Sequence, residues 1–139
     1  MSEKFGGLAV FDLDGTLLRG LTVCELLAEP LGRRDRMREL ERFRSLDELA
    51  AARAEMATWY QTTSHSNLIA SLQNATLAPE AKAGLTLLRR CGIAVAIASV
   101  TWNFAVKYFA RVLGVPYFVG TGLNKNGQID HIWPRDKAV

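Results

Sequence analysis

The chain of 139 residues has few cysteines, little net charge and no long hydrophobic run. Its two cysteines, Cys24 and Cys91, lie far apart without the spacing of a metal site, which argues against a disulfide scaffold and favours a reducing compartment. No apolar run approaches the ~20 residues that a membrane span needs, and two aspartates interrupt the first apolar run, which argues against a secretory signal. We therefore expect a cytoplasmic protein that binds no membrane.

The composition is globular, and its positive charge is concentrated in one stretch. Hydrophobic residues make up 49% and charged residues 22%, which at this length is typical of about one folded domain. The net charge is +3, and residues 33–44 hold a surplus of that size in their arginines. Arg38, Glu41 and Arg44 follow at intervals of three, as on the solvated face of a helix, and no series of aromatic residues alternates with the arginines. The stretch predicts an exposed helix face, and nucleic-acid binding is the less favoured interpretation.

Three short apolar runs separated by helical patterns indicate a parallel sheet. The runs cover residues 8–13, 93–98 and 115–119. A continuous apolar run that ends at a turn is typical of a strand buried on both faces. A helical pattern precedes the second run and ends at Gly92, and another follows it and ends at Gly114. This order of strand, helix and strand predicts a right-handed βαβ unit.

Residues 20–77 separate the first run from the second and contain no strand-like pattern. Their apolar residues recur at helical spacing in three or four short segments, which predicts a compact helical insert. After the third run, Asn126 and Gly127 stand between two short extended pieces, a strong signal for a β-hairpin. We therefore predict an α/β core from residues 1–19 and 78–139, with the helical insert at residues 20–77.

Two aspartates end the first apolar run. Asp12 and Asp14 stand two residues apart, so their side chains point to the same side of an extended chain. Such a pair is costly to bury unless a cation or a proton neutralises it, and Mg²⁺ prefers carboxylate and carbonyl oxygens. A turn with an Asx-type cap is the plainer alternative. The full run Asp-x-Asp-Gly-Thr-Leu after an apolar strand favours a magnesium-binding site.

Two more polar residues fall near the ends of predicted elements. Ser99 ends the second run, and Lys137 follows the predicted hairpin. Each has a structural alternative, since Ser99 could cap a helix and Lys137 could be a surface cation. Open parallel sheets bind ligands at the carboxyl edge of their strands, so the placement favours a shared site with Asp12 and Asp14.

These residues together resemble the motifs of the haloacid dehalogenase (HAD) superfamily of aspartate-nucleophile phosphatases and phosphotransferases. Residues 11–18, Phe-Asp-Leu-Asp-Gly-Thr-Leu-Leu, resemble the first motif; residues 97–99, Ile-Ala-Ser, the second; and Lys137 the third. Residues 20–77 fall where the family has its C1-type helical cap, and residues 99–104 resemble the phosphoserine-phosphatase-like subgroup. The resemblance covers essentially the whole chain and implies a Rossmann-like parallel sheet with an inserted α-helical cap.

The resemblance also implies a role for each residue in a Mg²⁺-dependent phosphatase. Asp12 would attack phosphorus to form an aspartyl-phosphate, and Asp14 would protonate the leaving oxygen and later activate water. Asp12 and Asp14 would hold Mg²⁺, the latter through its backbone carbonyl. Ser99 and the N–H of Val100 would bind the phosphoryl oxygens, and Lys137 would stabilise the transferring group. The implied substrate is a small phosphorylated metabolite.

The sequence departs from the family pattern after the third motif. The resemblance implies a fourth, acidic motif further along, but after Glu80 the chain has Asp130 and Asp136 alone, neither at the end of an apolar strand. We therefore expect a truncated HAD core, as in a fragment or a trimmed chain, and a natural short form is the less favoured alternative. The first strand would then expose an apolar edge, which invites a homo-oligomer or a strand swap.

The identity of the substrate and the reaction type stay open at this point. Leu21 stands where the phosphoserine phosphatases have a glutamate for the substrate ammonium, which weakens phosphoserine as the substrate. Arg53 is a candidate for facing a substrate carboxylate or phosphate, but a solvated helix surface is the favoured interpretation. The alternatives to a phosphatase are a phosphotransferase of the same superfamily and a non-catalytic phosphate-binding module or inactive fragment.

Overall fold

A computed structural model of the chain describes residues 6–134 and 136. The strands are β1 (Gly7–Phe11), β2 (Leu18–Arg19), β3 (Thr76–Leu77), β4 (Ile93–Trp102), β5 (Tyr117–Leu123) and β6 (Ile129–Asp130). The helices are α1 (Val23–Ala28), α2 (Arg34–Leu40), α3 (Leu46–Tyr60), α4 (His65–Leu72), α5 (Ala81–Arg90) and α6 (Asn103–Leu113), and a 3₁₀ turn at Glu29–Leu31 follows α1. Lys137 lies outside the described residues.

The main sheet has the strand order β1-β4-β5-β6 and is parallel except at its last strand. Phe11 pairs with Ile97, and Ala98 pairs with Val119, so the three parallel strands end at the same edge. Helices α5 and α6 connect the strands, and α6 buries Val106, Phe109 and other apolar residues one helical turn apart. The predicted α/β class with a mainly parallel sheet is confirmed.

The second strand is longer than the apolar run that predicted it. β4 continues past Ala98 to Trp102, with an irregularity in its pairing to β5 between these two residues. Trp102 pairs again with Thr121 on β5. A bulge of this kind lets a strand resume its ladder after a polar interruption, so the polar Ser99 lies within the strand and not at its end.

Four α-helices form the inserted cap. Helices α1 to α4 lie between β2 and β3, which pair antiparallel through Leu18 and Leu77. The chain therefore leaves and re-enters the core at one two-stranded ribbon. Short polar residues begin three of these helices, since the side chains of Thr22, Ser45 and Ser64 each accept a hydrogen bond from a first-turn N–H. The inserted helical cap is confirmed, while its limits at residues 20 and 77 stay a prediction.

Only part of the arginine-rich stretch forms an exposed helix: α2 ends at Leu40, so the predicted helix face through Arg38, Glu41 and Arg44 is not formed. Arg36 pairs with Glu39 at 2.9 Å and with Glu55 on α3 at 2.7 Å. Arg38 pairs with Glu25 on α1 at 3.4 Å, so its partner comes from another helix and is not the sequence neighbour Glu41. Arg36 and Arg38 therefore form surface ion pairs that join α2 to α3 and to α1.

One face of the sheet is apolar and exposed. Leu8 is 65% exposed and Val10 49%, and both point to the same face as Tyr117 and Val119 on β5, because register partners on parallel strands share a face. β1 is the edge strand of the sheet. The exposed apolar edge that the sequence predicts for this strand is therefore present. Among the described residues, no helix combines the length and apolar character needed to cross a membrane.

The close approach of α6 to β5 depends on a glycine. A Cβ atom on Gly120 would lie 2.8 Å from Val106 Cγ2, 2.9 Å from Asn103 Cα and 2.9 Å from the Thr101 carbonyl oxygen. Gly120→Ala should therefore lower the free energy of unfolding by about 1–3 kcal/mol, as overpacking does. Gly84→Ala is the matched control, because a Cβ there meets no atom within 4 Å and lies inside α5.

The control should stabilise the protein by about 0.5–1 kcal/mol, since alanine favours a helix over glycine. Urea unfolding of both variants measures the difference. Equal stability of Gly120→Ala and the unsubstituted chain would contradict the packing of α6 on β5.

Candidate active site

Asp12 and Asp14 lie at the carboxyl edge of the sheet, in the turn after β1. Leu13 between them is completely buried, whereas Asp12 and Asp14 are half-buried. The Leu13 carbonyl accepts hydrogen bonds from the N–H groups of Leu17 at 3.0 Å and Leu18 at 2.9 Å, which closes the turn. The buried leucine and the hydrogen bonds at its carbonyl thus anchor the turn that carries Asp12 and Asp14.

Each carboxyl group is oriented by a backbone N–H. Asp12 Oδ1 accepts a hydrogen bond from the Leu13 N–H at 2.7 Å. Asp14 Oδ1 accepts one from the N–H of Val23, the first residue of α1, at 2.9 Å. Asp12 is therefore held within the turn after β1, whereas Asp14 is held by the first helix of the cap.

The bulge of β4 lies beside the two aspartates. Ser99 is 2% exposed, and its Oγ accepts a hydrogen bond from the Thr101 N–H at 3.2 Å. The Val100 carbonyl accepts hydrogen bonds from Arg53 Nη2 and from Thr121 Oγ1, both at 2.9 Å. Trp102 occupies the N-cap position of α6, so the interpretation of Ser99 as a helix cap is wrong.

Arg53 is buried, and its interpretation as a solvated residue is wrong. It is 2% exposed. Its Nη2 donates to the carbonyl oxygens of Val100 at 2.9 Å and Ile132 at 2.7 Å, and its Nη1 donates to His131 Nδ1 at 2.9 Å. The guanidinium also lies 5.2 Å from the ring centre of Trp133. Arg53 therefore joins α3 of the cap to β4 and to the segment after β6.

The protonation states of this cluster follow from its burial. Desolvation lowers the pKa of Arg53, yet an arginine stays charged at any physiological pH. Desolvation and the neighbouring Arg53 charge lower the pKa of His131. A neutral imidazole is the form that can accept the Arg53 hydrogen bond at Nδ1. The hydrogen bond and the lowered pKa therefore both indicate a neutral His131.

A cavity of about 100 Å³ lies between the cap and the carboxyl edge of the sheet. Asp14, Val100 and Thr101 line its core side. Its cap side is lined by residues of α2 and α3 and the loop between them, among them Met37, Phe43 and Met56. Cavities that combine apolar walls with a few convergent polar groups are the usual form of a small-molecule site.

Two acidic or weakly acidic groups on the cavity wall were not predicted from the sequence. Burial raises the pKa of the Cys24 thiol to about 12, although Thr101 Oγ1 lies within hydrogen-bond distance at 3.5 Å. Partial burial also raises the pKa of Glu41, and the nearby carboxylates of Glu25 and Asp14 add to this effect. The hydroxyl of Thr22 donates to Glu41 Oε2 at 2.9 Å, and this hydrogen bond opposes the rise in the pKa of Glu41. The rim beside Asp14 is therefore acidic.

The structure brings together four of the five predicted site residues. Asp12, Asp14, Ser99 and Val100 lie at one edge of the sheet, while Lys137 falls outside the described residues. Across residues 6–134 and 136, no group of three His, Cys, Asp or Glu side chains could hold a metal ion. Two carboxylates fit a different donor set, in which Mg²⁺ binds one or two protein carboxylates and completes its shell with water and phosphate.

Comparison with known proteins identifies the family. The sequence profile of the haloacid dehalogenase-like hydrolases matches residues 9–137. This chain belongs to the haloacid dehalogenase-like hydrolase family, as its first motif predicts. Comparison with curated proteins gave no match.

Solved structures of the same family share the fold. A HAD family hydrolase from Salmonella enterica subsp. enterica serovar Typhi is 18% identical over 96% of this chain and 49% of its own, with a TM-score of 0.77. A phosphoserine phosphatase in a phospho-aspartyl intermediate analogue form is 17% identical over 92% of this chain and 64% of its own, with a TM-score of 0.72. A probable phosphoserine phosphatase from Vibrio cholerae is 19% identical over 89% of this chain and 39% of its own, with a TM-score of 0.63. The chain thus spans between about two fifths and two thirds of the length of these proteins.

Removing the Arg53 guanidinium should destabilise the protein. In Arg53→Met the buried carbonyl oxygens of Val100 and Ile132 lose a donor, which should lower the free energy of unfolding by about 1–3 kcal/mol. Arg42→Met, at an exposed position, is the matched control and should leave the Tm almost unchanged. Thermal unfolding compares the two, and an equal Tm for both variants would contradict the role of Arg53.

Neutralising Glu41 should stabilise the protein at neutral pH. A carboxyl group whose pKa is raised on folding stabilises the native state at low pH, and this contribution is lost as the pH rises above the unfolded value of about 4.3. Glu41→Gln keeps an acceptor for Thr22 and removes the charge, so its Tm should exceed that of the unsubstituted chain at about pH 7 but not at about pH 4. Glu80→Gln, at an exposed position, should show no such pH-dependent gain. A gain that is the same at both pH values would contradict this effect.

Proposed function

We propose that this chain carries the reaction centre of a Mg²⁺-dependent phosphatase, which hydrolyses a small phosphomonoester through an aspartyl-phosphate. The observation that carries the proposal is the position of Asp12 and Asp14 directly after β1, which pairs with β4 just before its bulge, together with the hydrogen bond from α1 to Asp14. Family membership supports a hydrolase. Mg²⁺, the covalent intermediate and the cytoplasmic location remain parts of the proposal.

Asp12 is the proposed nucleophile. Its carboxylate oxygen forms a bond to phosphorus as the ester P–O bond breaks, which divides one displacement into two. The Leu13 N–H holds Asp12 at 2.7 Å, so the carboxylate needs little reorganisation to reach a phosphoryl group in line. Water then attacks phosphorus and releases inorganic phosphate and the Asp12 carboxylate.

Asp14 is the proposed general acid and base. It donates a proton to the leaving alkoxide oxygen in the first step and accepts one from the attacking water in the second. Its hydrogen bond from the Val23 N–H connects it to α1. A shift of the cap therefore changes the position of the acid relative to the nucleophile.

The phosphoryl oxygens are proposed to bind at the β4 bulge. The Ser99 hydroxyl and the Val100 N–H are the donors, and the hydrogen bonds at the Val100 carbonyl hold this segment in place. Lys137 is the proposed cation for the charge of the transferring group. The Asp12 carboxylate and the Asp14 carbonyl would hold Mg²⁺, which would supply positive charge to offset that of the phosphate.

Hydrolysis of an aryl phosphate in the presence of Mg²⁺ tests this function. Asp12→Asn should reduce the rate to background, and Asp14→Asn should reduce it by about 10²–10⁴ as expected for loss of a general acid. Asp47→Asn, at an exposed position on α3, is the matched control and should keep the rate of the unsubstituted chain. Mass spectrometry of a quenched reaction should show the phosphoryl group on Asp12. An unchanged rate in Asp12→Asn would overturn the assignment.

A further inference from the structure

The cap side of the cavity is almost entirely apolar. Besides Cys24, Glu41 and Arg53, the cap residues that line it are apolar: Met37, Leu40, Phe43, Leu49, Ala52 and Met56. Met37, Leu49 and Met56 are buried, so their positions in the cavity wall are fixed by packing. An alcohol that extends from a phosphate at Ser99 and Val100 towards the cap would meet these side chains.

The charged groups along the wall are engaged with the protein. Both hydrogens of Arg53 Nη2 are used by the carbonyl oxygens of Val100 and Ile132, and Nη1 donates to His131. Although Arg53 lines the cavity, these three hydrogen bonds hold its guanidinium as a link between cap and core. The carboxylates of Asp14 and Glu41 at the rim would repel a substrate carboxylate.

The carboxylate of Glu41, which could attract a cationic substrate group, already interacts with neighbouring residues of the protein. Glu41 Oε2 accepts the Thr22 hydroxyl at 2.9 Å, and Arg38 supplies positive charge nearby. Leu21, at the position where the resembled phosphatases have a glutamate, carries no charge. The cap side of the wall thus offers hydrophobic area to the substrate chain, whereas the acidic groups lie at the rim beside Asp14.

We propose that the substrate is the phosphate monoester of a small uncharged, apolar alcohol, whose carbon chain packs against the cap. This inference rests on the proposed function and adds the class of the leaving group. In the reaction the ester P–O bond breaks, water supplies the new P–O bond, and the products are inorganic phosphate and the free alcohol. The specificity comes from burial of the carbon chain between α2 and α3.

Two isosteric esters separate shape from charge. Propyl phosphate and phosphoethanolamine differ by a methyl group in place of an ammonium group. We expect kcat/KM for propyl phosphate to be at least about tenfold higher, because the cavity rewards apolar area and leaves an ammonium desolvated. Along the series from methyl to butyl phosphate, kcat/KM should rise by about fourfold per methylene. A preference for phosphoethanolamine or phosphoserine, or a flat series, would overturn the inference.

Binding measured without turnover separates this inference from the proposed function. Calorimetry of Asp12→Asn with methylphosphonate and butylphosphonate in the presence of Mg²⁺ reports affinity alone. Tighter binding of butylphosphonate supports the apolar site, and equal binding of both overturns it while leaving a phosphate site in place. Absence of binding for both, and for inorganic phosphate, overturns the proposed function together with the inference.

A surface substitution locates the apolar contact. Phe43 lines the cavity and is 39% exposed, so Phe43→Ser should keep the fold and reduce the rise of kcat/KM along the ester series. Leu46 is 43% exposed on the same part of the cap but does not line the cavity, so Leu46→Ser should keep the full rise. The same rise in both variants would overturn the contact between Phe43 and the substrate chain.

Discussion

The buried guanidinium of Arg53 joins three parts of the chain that are far apart in sequence: helix α3, the bulge of β4 and the segment after β6. A charge with so little exposure is stable only where polar partners surround it, so the carbonyl oxygens of Val100 and Ile132 must lie where the guanidinium can reach them. This requirement fixes α3 relative to the bulge. The cavity exists because the apolar side of α3 is held at that distance from the sheet edge.

The proposed site gathers negative charge at the place where it is proposed to bind an anion. The carboxylates of Asp14 and Glu25 lie close enough to Glu41 to raise its pKa. A phosphate dianion entering beside them would be repelled unless positive charge entered with it. The acidic rim therefore gives an electrostatic reason for a divalent cation and a lysine in the proposed mechanism, and it discourages substrates that carry a second anionic group.

Local patterns predicted most of the core correctly. Apolar runs and the glycines that end helices depend on neighbours within a few residues, which is why β1, β4, α5 and α6 could be recognised. The position of Asp12 and Asp14 after the first strand was recognisable in the same way, because an apolar run that ends at a turn is a local signal. Ser99 was misplaced relative to β4 because the pairing of Trp102 with Thr121 is a property of the sheet.

The cap side of the site could not be predicted in the same way. Whether Arg53 faces solvent depends on Val100, His131 and Ile132, which the sequence does not link to it. A local signal was present, since Arg53 lies four residues after Leu49 and three before Met56, on the apolar stripe of α3. Glu41 carried no such signal, because its environment comes from α1 and from the turn after β1.

The register of the sheet has a consequence for how the chain acquires its structure. Gly7 pairs with Ile93, so β1 has no partner strand until the whole cap and α5 have been synthesised. The hydrogen bonds within each cap helix can form during this interval, whereas the backbone edge of β1 stays unpaired. An apolar strand whose partner is far away in the sequence stays unpaired during synthesis, and nascent chains can aggregate through it. Conditions that slow aggregation during synthesis should therefore improve the yield of soluble chain more than changes to the cap.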